Sequence, residues 1–465
     1  MKKLWGGRFK KGMHPVLKCF SYSLYVDYQL LESELEIDIA WAKMLGRTGL
    51  LTKSESAKLV RSLASLMREL IPSDPHDKLP KAWLQDYEDV HTLIQSRLEK
   101  KAGSLGKKIH TGRSRNDLVV ASTRLWARKK LSEIQKKILV FQKSLLSAAA
   151  RSRDLKIAGM THFRKAQPVL LAHHFLAYLE MIEEDRARLA AAMARLDLLV
   201  LGSAALAGTS LPIDQKFLAR ELGYSKIVTN SMAAVSDRAF MTEIVSGLAI
   251  LWMHLSRLAE DFILWNSEYL GFIEIDDAFA TGSSLMPHKK NPDVFELIRG
   301  RASVIFGHLQ TLLVLQKGLP LTYQRDLQED KPAFFDSVNK TGLALDVLSL
   351  TLNGVTFNAE ALKRSVEEDA LYATDLLEYL VEKKIPFSEA HEAVGRAMRF
   401  AIDHRRPLES LGLHEFRRFS KAFGADVYNL FNETVSVTAK RTKGSTHPER
   451  VRAQIKQWRI RLDAH

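Results

Sequence analysis

Hydrophobic residues recur at alternating steps of three and four along the middle of the chain. Ala127, Leu131, Ile134, Ile138, Phe141, Leu145 and Ala148 form one such series, the spacing of a helix that packs along a single seam. Phe175, Leu179, Ile182, Leu189, Met193, Leu196 and Val200 form a second. Residues 236–266 and 293–317 carry the same helical periodicity. Stripes this long are buried only where several helices pack together, so a bundle partly closed by other copies of the chain is expected. No run of strand-like alternation has comparable strength, and the expected class is all-α with at most minor strands. Ile71-Pro72-Ser73-Asp74-Pro75 reads as a turn-rich break, and a second shift falls at Leu352-Asn353-Gly354, after which shorter helices resume. No repeat of fixed period and no low-complexity tract is visible. In the tail, Val451, Ile455, Trp458 and Leu462 share one helical face, which reads as an amphipathic helix with a solvated basic side.

Composition changes this picture only at the margins. The 465 residues are 46% hydrophobic, enough for a large core. A single cysteine, Cys19, excludes a disulfide framework and a cysteine metal site, and suits a reducing cytoplasm. Trp5-Gly6-Gly7-Arg8 interrupts any apolar segment behind the basic start, so no signal peptide is read. The longest charge-free apolar stretch, Leu198 to Ile213, holds two glycines and a proline, and no membrane span is expected. The net charge of +14 points to an anionic partner. Without a nucleic-acid motif, small carboxylates are favoured over nucleic acid.

Three polar segments each precede a long helical pattern: His110-Thr111-Gly112-Arg113-Ser114-Arg115-Asn116-Asp117, Thr161-His162-Phe163-Arg164-Lys165-Ala166-Gln167-Pro168, and Thr281-Gly282-Ser283-Ser284-Leu285-Met286-Pro287-His288-Lys289-Lys290-Asn291-Pro292-Asp293. In the last, Asn291 reads as a helix N-cap and Pro292 as the first helical residue. Helix starts with nearby lysines hold carboxylates and stabilise developing anions. Such a cluster suits removal of a proton next to a carboxylate, which creates a dianionic aci-carboxylate. Ser283 is the candidate base, His162 a proton donor or relay, Glu296 its orienting partner and Lys289 the stabilising cation. Arg113 and Arg115, beside Asn116, read as carboxylate holders. Adjacent His173 and His174 point apart on a helix, so no metal site is read from them. Carbon–nitrogen or carbon–oxygen elimination of this kind needs neither metal nor nicotinamide, and no cofactor is expected.

Gly282-Ser283-Ser284-Leu285-Met286-Pro287-x-Lys289-x-Asn291-Pro292 resembles the catalytic loop of the fumarase/aspartase superfamily. Further blocks resemble the argininosuccinate lyase family within it: Lys3-Leu4-Trp5-Gly6-Gly7-Arg8-Phe9, Phe20-x-x-Ser23-x-x-x-Asp27, Glu88-Asp89-Val90-His91, the segment His110–Asp117, Asn230-Ser231-Met232 with Ser236-Asp237-Arg238, the block from Leu319 and Pro320 through Tyr323, Asp326 and Gln328 to Lys331, and Gly444-Ser445-Thr446-x-Pro448-Glu449-Arg450-Val451. The resemblance covers nearly the whole chain. It implies a fumarase/aspartase-like fold, with a central helical bundle at 112–360 between smaller, mostly helical domains at 1–111 and 361–465. It also implies a cytoplasmic homotetramer with active sites shared among subunits. By the same likeness Ser283 is the base, His162 with Glu296 the acid or relay pair, and Lys289 the carbanion stabiliser. Ser23, Asp27, Asp89, Arg115, Asn116, Thr161, Asn291, Tyr323, Gln328 and Lys331 are expected to bind the substrate, argininosuccinate. Arg164 and His288 stand where the family more often has glutamine, and Ala233 and Ala239 where it has aspartates. Two other readings stay open at this point: another fumarate-releasing lyase, against which the block ending at Lys331 argues, and a crystallin-like structural protein, against which the retained Ser283, His162, Lys289 and Glu296 argue.

Overall fold

The computed structural model describes residues 10–71 and 81–464. The motif from Lys3 to Phe9 and the Pro72–Pro75 part of the first break lie outside the described residues. Helices dominate, as the periodicity predicts. Among the described residues five helices reach 24 residues or more: Arg115–Arg151, Leu171–Ala194, Ala239–Asn266, Asp293–Gln316 and Asp330–Gly354. All seven positions of the first seam are buried. The second seam overshoots. Its helix ends at Ala194, and Leu196 and Val200 are buried from turns instead; Leu199 N–H bonds Lys226 O at 2.8 Å and forms a bridge to Ile227. Helix Ala239–Asn266 is long and apolar enough to cross a membrane, but Met241, Ile244, Val245, Leu248, Trp252, Leu255 and Phe262 are all buried in the protein.

The chain divides into two compact units. One comprises Met1–Gln135, Ala187–Ile250 and Ser303–Gly342. Its first layer is the helix pair Leu31–Arg47 and Lys53–Leu70. The second of these begins in a capping box: Thr52 accepts from Glu55 N–H, and the Glu55 carboxylate accepts from Thr52 N–H. Trp41 is fully buried and donates its Nε1–H to Thr111 O at 3.1 Å, fixing the turn that opens helix Arg115–Arg151. Trp126 packs on Phe334 and Phe335, with ring centroids 5.6 and 4.4 Å away.

The other unit comprises Lys136–Arg186, Leu251–Ala302 and Leu343–His465. Phe175, Phe262, Trp265, Phe295 and Phe357 form its aromatic core. The final helix, Pro448–Asp463, buries Val451, Ile455, Trp458 and Leu462, the face read from sequence. Trp458 Nε1–H donates to Glu180 at 3.1 Å, and Glu183 accepts from Gln142, Arg186 and Arg461. The minor strands are an antiparallel hairpin, Lys156–Thr161 with Arg164–Leu170, and two-residue ladders joining Ile273–Glu274 to Thr356–Phe357 and Thr281–Gly282 to Lys290–Asn291.

Candidate active site

The first unit gathers eight of the expected binding residues around one cavity of about 990 Å³: Ser23, Asp27, Asp89, Arg115, Asn116, Tyr323, Gln328 and Lys331. Local capping explains their placement. Asp89 has extended backbone and caps helix Val90–Ala102, its Oδ1 accepting from Thr92 N–H at 2.7 Å and Thr92 Oγ1 at 2.6 Å. Ser23 N–H donates to Glu88 O at 2.8 Å, which brings the N-terminal strip against this cap. Ser23 Oγ in turn donates to Asp27 Oδ2 at 2.6 Å, and Val90 N–H to Asp27 Oδ1 at 3.2 Å. Helix Arg115–Arg151 starts from a cap built on Ser114 and Asp117: Ser114 N–H donates to Asp117 Oδ1 at 3.0 Å, and Ser114 Oγ accepts from Asn116 N–H at 3.2 Å. Asp117 Oδ2 also accepts from Gly202 and Ala204 N–H, so the carboxylate ties the helix start to that loop. Asn116 Nδ2 donates to Ala205 O at 3.2 Å on the same loop.

Charge in the cavity is mixed. Arg115 Nη1 lies 2.9 Å from Asp89 Oδ2 and 3.5 Å from Glu88 Oε2. Lys331 is buried, with Nζ 2.9 Å from Asp330 Oδ1; Asp330 Oδ2 accepts from Arg238 Nε at 2.9 Å, so the Ser236-Asp237-Arg238 block supports the lysine from behind. Burial, reinforced by the Asp89 charge, pushes the Asp27 carboxyl up to about 6. Burial also opposes ionisation of Asp89, but His91, Arg115 and the Thr92 hydrogen bonds outweigh it and hold that carboxyl below its ordinary value. His91, on the cavity wall, lies 2.7 Å from Glu34. Burial disfavours its cation, yet the Glu34 carboxylate holds it above the ordinary imidazole value. Arg113 takes a different place from the one read beside Asn116: it is buried against the Asp38 carboxylate and under the Trp41 ring. Glu88, His91 and Arg325 also line the cavity. They lie within the sequence blocks around Asp89 and Tyr323, but burial singles out His91, and ion pairing Glu88 and Arg325.

The remaining expected residues belong to the second unit. The segment from Thr161 does not open a helix directly. His162 and Phe163 have φ of 54° and 56° and form the two-residue turn of the β-hairpin, and strand Arg164–Leu170 runs from it to helix Leu171–Ala194. Thr161, His162 and Arg164 are exposed at its tip. The serine loop is closed at its base by the Thr281–Gly282 and Lys290–Asn291 ladder. Asn291 is therefore a strand residue rather than an N-cap. The helix starts at Asp293, with Pro292 O accepting from Phe295 and Glu296 N–H. Within the loop, Ser283 Oγ accepts from Met286 N–H at 3.0 Å and Leu285 N–H at 3.3 Å. Lys290 is tied to Glu274 and Asp277, each at 2.7 Å, whereas Lys289 and His288 are exposed. Glu296 is exposed on the first helical turn, and among the described residues no ion pair joins it to His162. His174 bonds Asp261 at 2.8 Å and packs on Trp265, a structural pairing.

Carboxylates facing guanidinium and ammonium groups in one cavity suit an amino-acid-derived ligand that carries both anionic and cationic groups. The chain matches the lyase family over residues 7–307 and the argininosuccinate lyase C-terminal family over residues 370–438. It is 43% identical to the argininosuccinate lyase of Symbiobacterium thermophilum over 98% of this chain and 97% of that one. It is 42% identical to that of Desulforudis audaxviator over the full length of both. Among solved structures it resembles EDDS lyase in complex with formate (TM-score 0.85, 27% identity, 98% of this chain and 91% of that one). The fold is also that of a class II fumarase from Schistosoma mansoni (TM-score 0.73, 16% identity, 92% and 96% covered). The chain belongs to the argininosuccinate lyase family.

Proposed function

We propose that the protein cleaves argininosuccinate reversibly to arginine and fumarate, the last step of arginine biosynthesis, in the cytoplasm. The observation that carries this reading is the cavity in which Asp27, Asp89 and Glu88 face Arg115 and Lys331, a setting that accepts a guanidinium and carboxylates in one ligand. Ser283 takes the proton from the carbon next to a carboxylate. The electron pair first rests on that carboxylate as an aci-carboxylate, which Lys289 stabilises. It then forms the fumarate double bond as the carbon–nitrogen bond breaks, and His162, oriented by Glu296 only in the assembled oligomer, protonates the departing guanidino nitrogen. Thr161 and Asn291 complete the binding set. No metal or cofactor enters these steps.

The sites are proposed to be composite, formed in a homotetramer. Two features support this. Ser283 sits on an exposed loop and His162 on an exposed turn. Helix Asp293–Gln316 leaves Leu297, Phe306, Leu313 and Val314 between 44% and 52% exposed, apolar surface suited to a second copy. The three-part division at 1–111, 112–360 and 361–465 belongs to the same reading, and the family match at 370–438 falls inside its last part. The test is to mix the protein with argininosuccinate and follow the ultraviolet absorbance of fumarate together with arginine. Fumarate and arginine in equal amounts are expected. Fumarate only from another N-substituted aspartate would assign the alternative lyase activity, and no product from any of them would leave a structural role.

A further inference from the structure

We infer that Arg325 is a positioning residue, which holds the short helix Pro15–Ser21 against the substrate cavity. Four residues in and beside that helix, Met13, Leu17, Phe20 and Ser21, line the cavity, yet the helix buries none of its own side chains. Val16 is 69% and Phe20 87% exposed. Apolar burial therefore does not keep it in place, and a seven-residue helix is not stable alone. Besides the Ser23 N–H to Glu88 O bond just beyond it, its C-terminal carbonyl holds it. Ser21 O accepts from Arg325 Nη2 at 2.9 Å and from Gln328 Nε2 at 3.1 Å, a cation and an amide on the negative end of the helix. Arg325 Nη2 also lies 3.5 Å from Glu88 Oε1, while Arg115 lies 3.5 Å from the other Glu88 oxygen. Gln328 is itself an expected substrate ligand. When its amide turns to substrate, Arg325 is the donor left on Ser21 O, and with the Ser23 N–H to Glu88 O bond two residues on it keeps the C-terminal end of the helix in place.

The proposal rests on the argininosuccinate-cleaving reading for its kinetic arm and on none for its exchange arm. Hydrogen exchange is measured at the Lys18 and Tyr22 amides, which bond His14 O and Lys18 O, in the wild type, Arg325→Ala and Arg325→Lys. The alanine variant is expected to exchange about tenfold faster there, the loss of one charge-assisted hydrogen bond, with lysine restoring most of it. In the same proteins, KM for argininosuccinate is expected to rise about five- to tenfold in Arg325→Ala, with kcat within about twofold and partial recovery in Arg325→Lys. Unchanged exchange in the alanine variant overturns the tether, whatever the activity. A fall in kcat with KM unchanged would place Arg325 at the reacting atoms and equally overturn the positioning role. If argininosuccinate proves not to be the substrate, the exchange comparison still decides whether Arg325 holds the helix.

Discussion

Replacing Asp117 with asparagine sets two opposed effects against each other at the helix start that carries Arg115 and Asn116. Asp117 is fully buried, and its carboxylate accepts three backbone N–H groups, from Ser114 at 3.0 Å, Gly202 at 3.2 Å and Ala204 at 2.8 Å. Burial nevertheless wins, and pushes its carboxyl from 3.8 up to about 6. At about pH 7.5 the ionised group therefore costs the folded state about 3 kcal/mol relative to a neutral one, at about 1.4 kcal/mol per pH unit. Asparagine removes that cost but keeps one acceptor oxygen. With the oxygen turned to Gly202 and Ala204, the amide NH2 faces the Ser114 N–H, and an unsatisfied buried donor costs about 1–3 kcal/mol. The variant is thus expected within about 2 kcal/mol of the wild type at neutral pH, despite the loss of a buried charge with three partners.

Acid separates the two effects. The folded pKa lies above the unfolded value, so the native state takes up a proton as pH falls through about 6, and the wild type gains stability that asparagine cannot gain. By about pH 5 the gain is about 1.4 kcal/mol, and the stability of Asp117→Asn relative to the wild type falls by that amount. Urea unfolding followed by tryptophan fluorescence, at equal protomer concentration and at both pH values, measures the change. A relative stability of the variant that stays constant or rises toward acid would refute the claim that burial, rather than the three N–H groups, governs this carboxylate.

Three further outcomes are expected. Ser283→Ala should leave the fold intact, since Ser283 sits in an exposed loop and its Oγ only accepts from Leu285 and Met286, but should lower kcat by at least about 10²-fold; near-normal turnover, measured from fumarate absorbance, would remove it as the base. Dialysis against a strong chelator should leave activity unchanged, and activity lost to chelation and restored by one divalent ion would contradict the metal-free elimination. Inactive His162→Ala and Ser283→Ala proteins, unfolded and reassembled together, should regain part of the wild-type activity. Failure despite demonstrated subunit mixing, or a monomer in sedimentation, would rule out shared sites.

How much of this was legible depended on whether a residue's role is written in its own spacing or in its partner. The seam from Ala127 to Ala148 is legible because helix period and burial are the same fact. The hairpin carrying His162 is not. Its turn places His162 and Phe163 at positive φ, where asparagine or glycine would have signalled it, and a register shift at Gly159 and Met160 breaks the period-two pattern. The overshoot past Ala194 has the same origin: Leu196 and Val200 stay in helical phase, and no glycine or proline marks the end before them. The candidate site divides in the same way. Short motifs located Asp89, Arg115 and Lys331, because capping and dense polar spacing leave a local trace. Which arginine serves the cavity is decided at long range. Arg113 and Arg115 are two residues apart and equally polar in context, yet helix Leu31–Arg47 offers the buried Asp38 to one, and the cap at Asp89 meets the other. A buried acid on a distant helix leaves no mark beside the arginine it neutralises, so charge in a motif identifies a site, while the carboxylates of the fold determine which of its cations remain for the ligand.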